Sequence, residues 1–522
     1  MTRWPVWVVS VAAMAILSSC AGSDGQAPEV QIASGRLSGV VLDGVRAFKG
    51  IPYAAAPTGE LRWRPPQPVS AWQGTRAGIE FGPFCPQRPP SADWFVLGNV
   101  DEGCLTLNVW TPTASPEAKQ PVIVWIHGGG YQNGSGNLAR LNSPALAQQG
   151  VVVVTVNYRL NIFGFFAHPA LSKAQQGEPL GNYGLMDLVA ALTWVQQNIG
   201  SFGGDPDNVT IAGQSAGAGL INYLMVMPAA RGLFHRAISQ SAAVGLTPDM
   251  RIDRRSGFHP AAEQLGVKLA ERAGIEDGPH VVATLRALSA DELVAAIDKT
   301  VRYSPMIEGE LLTDHIGVLF AEGKQSAVPY LTGGTNWEAS LGYQISKNTG
   351  GAFSPEFTAR LVKAEDKTRL YGGLDPAEQA DQIFGDLFVL SSARYLANQM
   401  NNVGAPSYHY YFSYLADYRR DRQPGVAHAD DIAFVFRTLD ADIETVSDRD
   451  REVSRIVSAY WVQFATSGDP NGPGLVTWPA YTEQTPRVLE LGDELLVHDD
   501  LLSERMDFHI QRGTSLLNRA GR

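Results

Sequence analysis

The stretch V-T-I-A-G-Q-S-A-G at residues 209–217 decides how this chain folds. Its first residues form an apolar, β-branched run that predicts a buried strand, and A-G-A-G-L-I-N-Y-L-M-V at 216–226 predicts a helix. Between them stands G-x-S-x-G, with Ser215 at its centre. In a strand–turn–helix setting this pattern raises the serine hydroxyl above the edge of a sheet. Ser215 is therefore a candidate nucleophile.

Other segments extend this unit into an alternating pattern. Residues 122–126, 151–158, 327–334 and 408–412 predict further strands, and residues 185–199 have apolar positions at helical spacing. Runs that are apolar on both sides suit a parallel sheet covered on both faces. The pattern predicts an α/β fold with a large, mostly parallel sheet flanked by helices. Residues 249–330 are mixed and mostly helical, which indicates an insertion or cap.

A glycine-rich segment follows the strand predicted at 122–126. It reads H-G-G-G at 127–130, and such glycines let backbone N–H groups point at a substrate oxygen. The alternatives are a flexible loop or a phosphate-binding loop. The phosphate interpretation is the weaker one, because no Lys-Ser/Thr pair follows the glycines.

Composition and charge exclude some classes of protein. The chain has 522 residues, of which 44% are hydrophobic and 18% charged, so it is not mainly disordered. Its net charge of −12 argues against a nucleic-acid partner, which would require a basic surface. The length is consistent with about three domains or with one large α/β sheet carrying insertions.

The N-terminus has the features of an export signal. Arg3 precedes an apolar run that is short for a membrane span, and small residues follow. L-S-S-C at 17–20 resembles the lipobox of bacterial lipoproteins, which implies a signal peptide over 1–19 and lipidation of Cys20. The alternative is an ordinary secretory signal. Residues 20–29 are polar and indicate a flexible tether to the membrane.

Several long motifs resemble those of the type-B carboxylesterases, the family of cholinesterases and para-nitrobenzyl esterases. They are F-G-G-D-P-D-N-V-T-I-A-G-Q-S-A-G at 202–217, E-G-C-L-T-L-N-V at 102–109, F-K-G-I-P-Y-A at 48–54, N-Y-R-L-N-I-F-G-F at 157–165, G-N-Y-G-L-M-D at 181–187, F-H-R-A-I-S-Q-S at 234–241 and Y-W-V-Q-F-A-T-S-G-D-P-N at 460–471. The resemblance implies a single α/β-hydrolase domain over 30–522, with helical insertions forming a cap around an active-site gorge. It also implies a Ser-Glu-His triad.

The resemblance assigns roles to individual residues. Ser215 is similar to the nucleophile, and the N–H groups of Gly129, Gly130 and Ala216 to the oxyanion hole. The family's histidine lies in a segment like G-V-A-H-A-D-D-I-A-F-V-F at 425–436, which implies His428 as the general base.

The acid of the triad falls in a segment that departs from the family pattern. The family has G-T-N-x-D-E-G, and this chain has G-T-N-W-E-A-S at 334–340. Matching Glu to Glu implies Glu338, and its spacing from Ser215 and His428 is close to that of the family. Glu308 is the rival. Asp430 and Asp431 follow His428 too closely to orient its ring easily.

Two further expectations concern single side chains. Cys85 and Cys104 match the ends of the family's first disulfide loop, which implies a disulfide worth about 3 kcal/mol; the alternative is two buried thiols. Gln214 stands where the family commonly has Glu. The loss of that charge leads to the hypothesis that cationic choline esters are poor substrates.

The expected function is that of a serine carboxylic-ester hydrolase acting on neutral esters through an acyl-enzyme, with no metal or organic cofactor. The expected partners are a small ester and, through Cys20, a bacterial membrane on the periplasmic or cell-surface side. A lipase acting on longer chains and a non-catalytic binding protein remain open alternatives. Hydrolysis of amides, carbamates or mycotoxin esters also stays open.

Overall fold

The computed structural model describes residues 27–520, except for 90–94, 113–114, 143, 176, 277 and 350–352. The predicted signal peptide, the lipidation site Cys20 and most of the predicted tether lie outside the described residues. The first strand begins at Glu29, where the predicted tether ends. No helix in the described ranges combines the length and apolar character needed to cross a membrane.

The strands fall into one large sheet and two small ones. In chain order they are β1 (Glu29–Ile32), β2 (Gly35–Ser38), β3 (Val40–Leu42), β4 (Val45–Pro52), β5 (Thr75–Ala77), β6 (Thr106–Thr111), β7 (Gln120–Ile126), β8 (Val152–Val156), β9 (Gly204–Gln214), β10 (Arg236–Gln240), β11 (Met250–Arg251), β12 (Met306–Ile307), β13 (Tyr330–Thr335), β14 (Ser407–Phe412), β15 (Arg487–Leu491) and β16 (Leu495–Asp499).

The large sheet has 11 strands in the order β16-β15-β14-β13-β10-β9-β7-β8-β6-β4-β3. Strands β8, β7, β9, β10, β13, β14 and β15 pair in parallel, and the pairs at both edges are antiparallel. The five strands predicted from apolar runs are β7, β8, β9, β13 and β14, so these predictions are confirmed. The predicted α/β architecture is confirmed with them.

Helices cover the sheet and fill the connections between strands. They are α1 (Pro144–Ala147), α2 (Asn161–Gly164), α3 (Pro169–Ala174), α4 (Tyr183–Asn198), α5 (Ala216–Val226), α6 (Ala262–Arg272), α7 (Val281–Ala287), α8 (Ala290–Ala296), α9 (Ile316–Ala321), α10 (Ala339–Thr349), α11 (Pro355–Ala359), α12 (Ala364–Tyr371), α13 (Pro376–Gly385), α14 (Ser391–Asn401), α15 (Asp431–Phe436), α16 (Asp448–Ser467) and α17 (Ser503–Ala520). The helices predicted at 185–199 and 216–226 are α4 and α5.

The central strands are buried on both faces, and their side chains alternate between two cores. In β7, Val122, Val124 and Ile126 pack into one core, whereas Ile123 and Trp125 pack into the other. This alternation follows from the two-residue period of a strand. A strand covered on both sides must be apolar throughout, which is why the runs are so clear in the sequence.

The carboxyl ends of the parallel strands bring the predicted site residues to one edge of the sheet. Ser215 follows β9, His127 follows β7, and Glu338 comes three residues after β13. Open α/β sheets bind their ligands at this edge. The region 249–330, predicted as mostly helical, contains α6 to α9 and the small sheet of β11 and β12.

Candidate active site

Ser215 sits on a strained turn between β9 and α5. Its backbone has φ 57° and ψ −124°, a conformation that a serine rarely adopts. Its N–H donates to the carbonyl oxygen of Gln240 over 2.8 Å, which fixes the turn to β10. A Cβ on Gly213 or Gly217 would lie 2.5 or 2.0 Å from the carbonyl oxygen of Ile126, so both positions require glycine. The close passage of β7 therefore explains the glycines of G-x-S-x-G.

The glycine-rich segment after β7 lies beside the serine. A Cβ on Gly128 would be 3.1 Å from the Cβ of Ser215. The N–H groups of Gly129, Gly130 and Ala216 donate to no acceptor among the described residues. These backbone donors are therefore available to an incoming oxygen atom.

His127 holds the start of this segment. Its ring stacks on Tyr158 with the centroids 4.4 Å apart, and the Tyr158 hydroxyl donates to the His127 carbonyl over 2.8 Å. Burial lowers the pKa of His127 to about 4, against a smaller opposing effect of its bond with the Gly128 carbonyl. The ring is therefore neutral at neutral pH, and its function in the described structure is to support the loop.

Glu338 and His428 meet next to the serine. Nδ1 of His428 is in direct contact with Oε2 of Glu338, whose side chain is fully buried. The other carboxylate oxygen accepts hydrogen bonds from Ser241 Oγ at 2.6 Å and from the Thr335 N–H at 2.7 Å. Burial raises the pKa of Glu338, but the His428 imidazole and these donors together lower it below its ordinary value. Glu338 is thus ionised and can orient the imidazole.

Two loops are held together so that this contact forms. The Val426 N–H donates to Oδ1 of Asn336 over 2.7 Å, and the Trp337 N–H donates to the Val426 carbonyl over 3.1 Å. The His428 N–H donates to Oγ of Ser340 over 2.8 Å. Because none of these bonds uses the side chain of Trp337 or Ala339, the departures from the family pattern at these two positions leave the position of Glu338 intact.

The second ring nitrogen of His428 faces Gln214. Gln214 Nε2 lies 3.1 Å from His428 Nε2, so its amide can donate to this nitrogen when the ring carries its proton on Nδ1. Ser215 Oγ makes no hydrogen bond to another described residue. Proton transfer from Ser215 to His428 therefore requires the hydroxyl to take the place of this amide.

The other acidic candidates have different partners. Glu308 accepts hydrogen bonds from the Leu311 and Leu312 N–H groups, so its carboxylate caps a turn. Asp430 pairs with Arg419. Asp431 accepts from Gln240 Nε2 at 2.8 Å and from the Tyr410 hydroxyl at 3.2 Å. Of the acids considered from the sequence, Glu338 is the one that the structure brings to His428.

Sequence reasoning missed several residues that shape the site. Ser241 and Ser340 position the Glu338–His428 pair, and Gln240 supports both Ser215 and Asp431. Gln240 and Ser241 lie in the family motif at 234–241, and this motif could have pointed to their role in the site. Ser340 and Arg302, a guanidinium against Gly130, had no comparable signal.

A disulfide joins Cys85 and Cys104, whose Cα atoms are 5.0 Å apart. Both residues are buried, with exposed fractions of 2% and 0%. The disulfide implied by the resemblance is therefore present in the structure, which rules out the alternative of two buried free thiols.

The arrangement combines a serine on a sharp turn, an imidazole oriented by a carboxylate, and unpaired backbone N–H donors. Such a set can attack a carbonyl carbon, move a proton and stabilise an oxyanion. In the described part of the chain, no group of three or more His, Cys, Asp or Glu side chains is placed to hold a metal ion.

Comparison with known proteins gives consistent matches over almost the whole chain. The profile described as "Carboxylesterase family" matches residues 26–509. The chain is 33% identical over 488 residues to fumonisin B1 esterase of Sphingopyxis macrogoltabida, covering 88% of this chain and 86% of that protein. It is 32% identical over 493 residues to para-nitrobenzyl esterase of Bacillus subtilis, covering 90% and 96%.

Solved structures of esterases are also similar to this chain over most of its length. A carboxylesterase of Geobacillus stearothermophilus superposes with a TM-score of 0.78 at 32% identity, covering 92% of this chain and 99% of that one. A PNB esterase gives a TM-score of 0.77 at 30% identity, covering 93% and 100%.

Proposed function

Because the chain belongs to the carboxylesterase family and hydrolyses carboxylic esters, we propose that it acts through an acyl-enzyme formed on Ser215. Glu338 and His428 complete the triad, and the N–H groups of Gly129, Gly130 and Ala216 form the oxyanion hole. The observation that carries the proposal is the contact of the buried Glu338 carboxylate with Nδ1 of His428, beside a serine on a strained turn.

The reaction follows from this arrangement in two steps. His428 Nε2 accepts the proton of Ser215 Oγ as the oxygen attacks the ester carbonyl, and Glu338 stabilises the resulting imidazolium. The carbonyl oxygen becomes an oxyanion held by the three N–H donors. His428 then protonates the leaving alcohol. Water hydrolyses the acyl-enzyme by the same route, which returns Ser215 and releases the carboxylic acid.

The direct test is the Ser215→Ala variant, assayed with p-nitrophenyl butyrate. We expect kcat to fall by about four orders of magnitude or more, with an unchanged thermal unfolding midpoint. Ser201→Ala, at a serine whose side chain makes no hydrogen bond to another described residue, is the matched control and should keep wild-type activity. An active-site phosphonate should label the peptide that contains Ser215. Turnover retained by Ser215→Ala would refute the assignment.

An acyl-chain series separates an esterase from a lipase. An esterase hydrolyses dissolved short-chain esters with ordinary saturation. A lipase gains activity only when a long-chain substrate aggregates. We propose the esterase, and a rate that rises sharply above the solubility limit of the substrate would favour the alternative.

We also propose that the protein is exported and anchored through Cys20. The support is the sequence of residues 1–20, with its charged start, apolar run and L-S-S-C end. Several acyl chains on one cysteine would anchor the protein firmly, at about 0.8 kcal/mol for each buried methylene. Expression in a bacterium with labelled palmitate should give a labelled membrane protein, and Cys20→Ala should abolish both label and anchoring. A wild-type protein without label would contradict the proposal.

A further inference from the structure

The side chain of Arg302 lies against the H-G-G-G segment at 127–130, called here the oxyanion loop, and has no partner among the described residues. Nη1 of Arg302 lies 2.6 Å from the position that a Cβ on Gly130 would take. Arg302 makes no hydrogen bond or ion pair with another residue in the described ranges. Its nitrogens still reach solvent, since none is among the fully buried atoms that lack a partner. The guanidinium therefore faces an accessible space and leaves five N–H donors free.

The surroundings do not neutralise this charge. Burial lowers the pKa of Arg302, and no carboxylate among the described residues counters this effect. An arginine nevertheless stays protonated in proteins. A half-buried cation without a counter-ion is costly, and the cost would be offset by an anion that binds there. The protein carries a net charge of −12, so a shortage of carboxylates does not explain why this arginine has none.

The backbone that follows Arg302 is held at two points. Gln132 Nε2 donates to the carbonyl oxygens of Gly130 at 3.1 Å and of Tyr303 at 2.5 Å, which ties the arginine's segment to the oxyanion loop. Four residues further on, Met306 exchanges two backbone hydrogen bonds with the side chain of Asn182, at 2.8 and 2.9 Å. The guanidinium is thus held on an anchored segment rather than on a free loop.

Its place relative to the reacting carbonyl follows from the loop. Gly128 lies against Ser215. Gly130 comes two residues after Gly128, so the Cα atoms of these two glycines are at most about 7.6 Å apart. A group bound by Arg302 is therefore within a few bonds of an ester carbonyl held at Gly129 and Gly130. A guanidinium pairs with a carboxylate through two parallel hydrogen bonds.

From this geometry we infer that Arg302 binds a carboxylate of the substrate, so that the enzyme prefers esters that carry a free carboxylate close to the scissile bond. This inference rests on the proposed function and deepens it. The absence of a charge at Gln214 led to an expectation of neutral esters; the unpaired arginine shifts that expectation to anionic ones.

The test compares two matched pairs of esters. On the acyl side, p-nitrophenyl hydrogen adipate carries the carboxylate, and p-nitrophenyl methyl adipate is its neutral partner. On the alcohol side, 4-carboxyphenyl butyrate is compared with 4-(methoxycarbonyl)phenyl butyrate. We expect the anionic ester of at least one pair to have the higher kcat/KM, and the pair that shows this identifies the side of the ester that Arg302 contacts.

Variants then assign the preference to Arg302. In Arg302→Gln the anionic-to-neutral ratio of kcat/KM should fall about 10- to 100-fold, the range for a hydrogen bond between charged groups. Arg302→Lys should retain part of the ratio. Arg451→Gln, an exposed arginine paired with Asp440, removes the same charge elsewhere and should leave the ratio unchanged. Raised salt should lower the wild-type ratio.

Two results would overturn the inference. One is a wild-type ratio near or below one in both pairs. The other is an equal loss on anionic and neutral esters in Arg302→Gln, which would mean that the guanidinium only supports the oxyanion loop. Binding of monomethyl adipate to Ser215→Ala, measured by calorimetry, should weaken when Arg302→Gln is added. This readout needs no turnover, so failure of the triad assignment and failure of the arginine assignment are distinguishable.

Discussion

At the scale of single residues, Gln214 is the departure with the clearest chemical consequence. Its amide lies 3.1 Å from Nε2 of His428, and the resemblance of the sequence to the type-B carboxylesterases leads us to expect Glu at this position. In Gln214→Glu we expect the acidic limb of the kcat/KM profile to move to higher pH by about one unit, because a nearby anion favours the imidazolium. The preference for butyrylcholine over the neutral isostere 3,3-dimethylbutyl butyrate should rise in the same variant.

The wild type is the reference for the pH profile and for the substrate preference. Gln214→Asn keeps the amide without the charge and should leave the pH profile in place. A wild-type kcat/KM for butyrylcholine far above that of the neutral isostere would contradict the hypothesis that Gln214 disfavours cationic esters.

At the scale of elements, the unit formed by the second half of β9, the serine turn and α5 was predicted from sequence, because its requirements are local. Strand β9 itself begins at Gly204, five residues before the predicted run. Apolar runs mark the strand and helix, and the close approach of β7 demands glycine. The Glu338–His428 pair needed the family resemblance, since the two residues are brought together by loops far apart in the chain. Arg302 could not be found this way: whether an arginine has a partner depends on contacts that only the folded chain reveals.

This unit yields a prediction on stability. Gly217→Ala would place a Cβ 2.0 Å from the Ile126 carbonyl oxygen, and that backbone atom cannot move aside without disturbing β7. We expect a loss of about 3 kcal/mol in the free energy of unfolding, measured by urea denaturation. Gly200→Ala is the matched control, since a Cβ there meets nothing within 4 Å. Equal stability of the two variants would show that β7 does not constrain the turn.

At the scale of the whole molecule, the sequence predicted the layered architecture better than the edges of the sheet. Strands β7, β8, β9, β13 and β14 are buried on both faces and stand out as apolar runs. At the edges, β15 mixes buried and exposed residues, β16 has no buried residue and β3 has only three residues, so these strands give a weak signal. The length alone was consistent with about three domains or with one large sheet. The described residues form one large sheet of 11 strands, and α6 to α9 lie in an insertion between two of its strands.

Buried histidines contribute to the response of the whole fold to acid. Burial lowers the pKa of His127 to about 4. Burial, with a smaller effect of nearby arginines, lowers the pKa values of His409 and His509 to about 3. Above the unfolded-state value of about 6.5 these rings are neutral in both states and stability is unaffected. As pH falls below 6.5, the unfolded chain binds protons that the folded chain refuses, so stability declines down to the folded pKa values.

Asp431 acts in the opposite direction, because burial raises its pKa to about 6. Its folded form binds a proton more readily, so it adds stability as pH falls through 6 towards the unfolded value near 4. Burial also raises the pKa values of Glu308, Asp381, Asp386 and Asp442, which act like Asp431, and lowers those of His235 and His259, which act like the other histidines. We expect His127, His409 and His509 each to lower stability between pH 7 and 5. The loss is about 2 kcal/mol for each histidine at pH 5.

The pH dependence can be assigned to one ring. His409 is buried and packs edge-on against Tyr481, so His409→Phe keeps the shape and removes the titration. We expect urea unfolding of this variant to lose about 2 kcal/mol less than the wild type between pH 7.5 and pH 5. His280→Phe replaces an exposed histidine and should show the wild-type loss. If His409→Phe lost as much as the wild type between pH 7.5 and pH 5, His409 would not contribute to the acid response in this range.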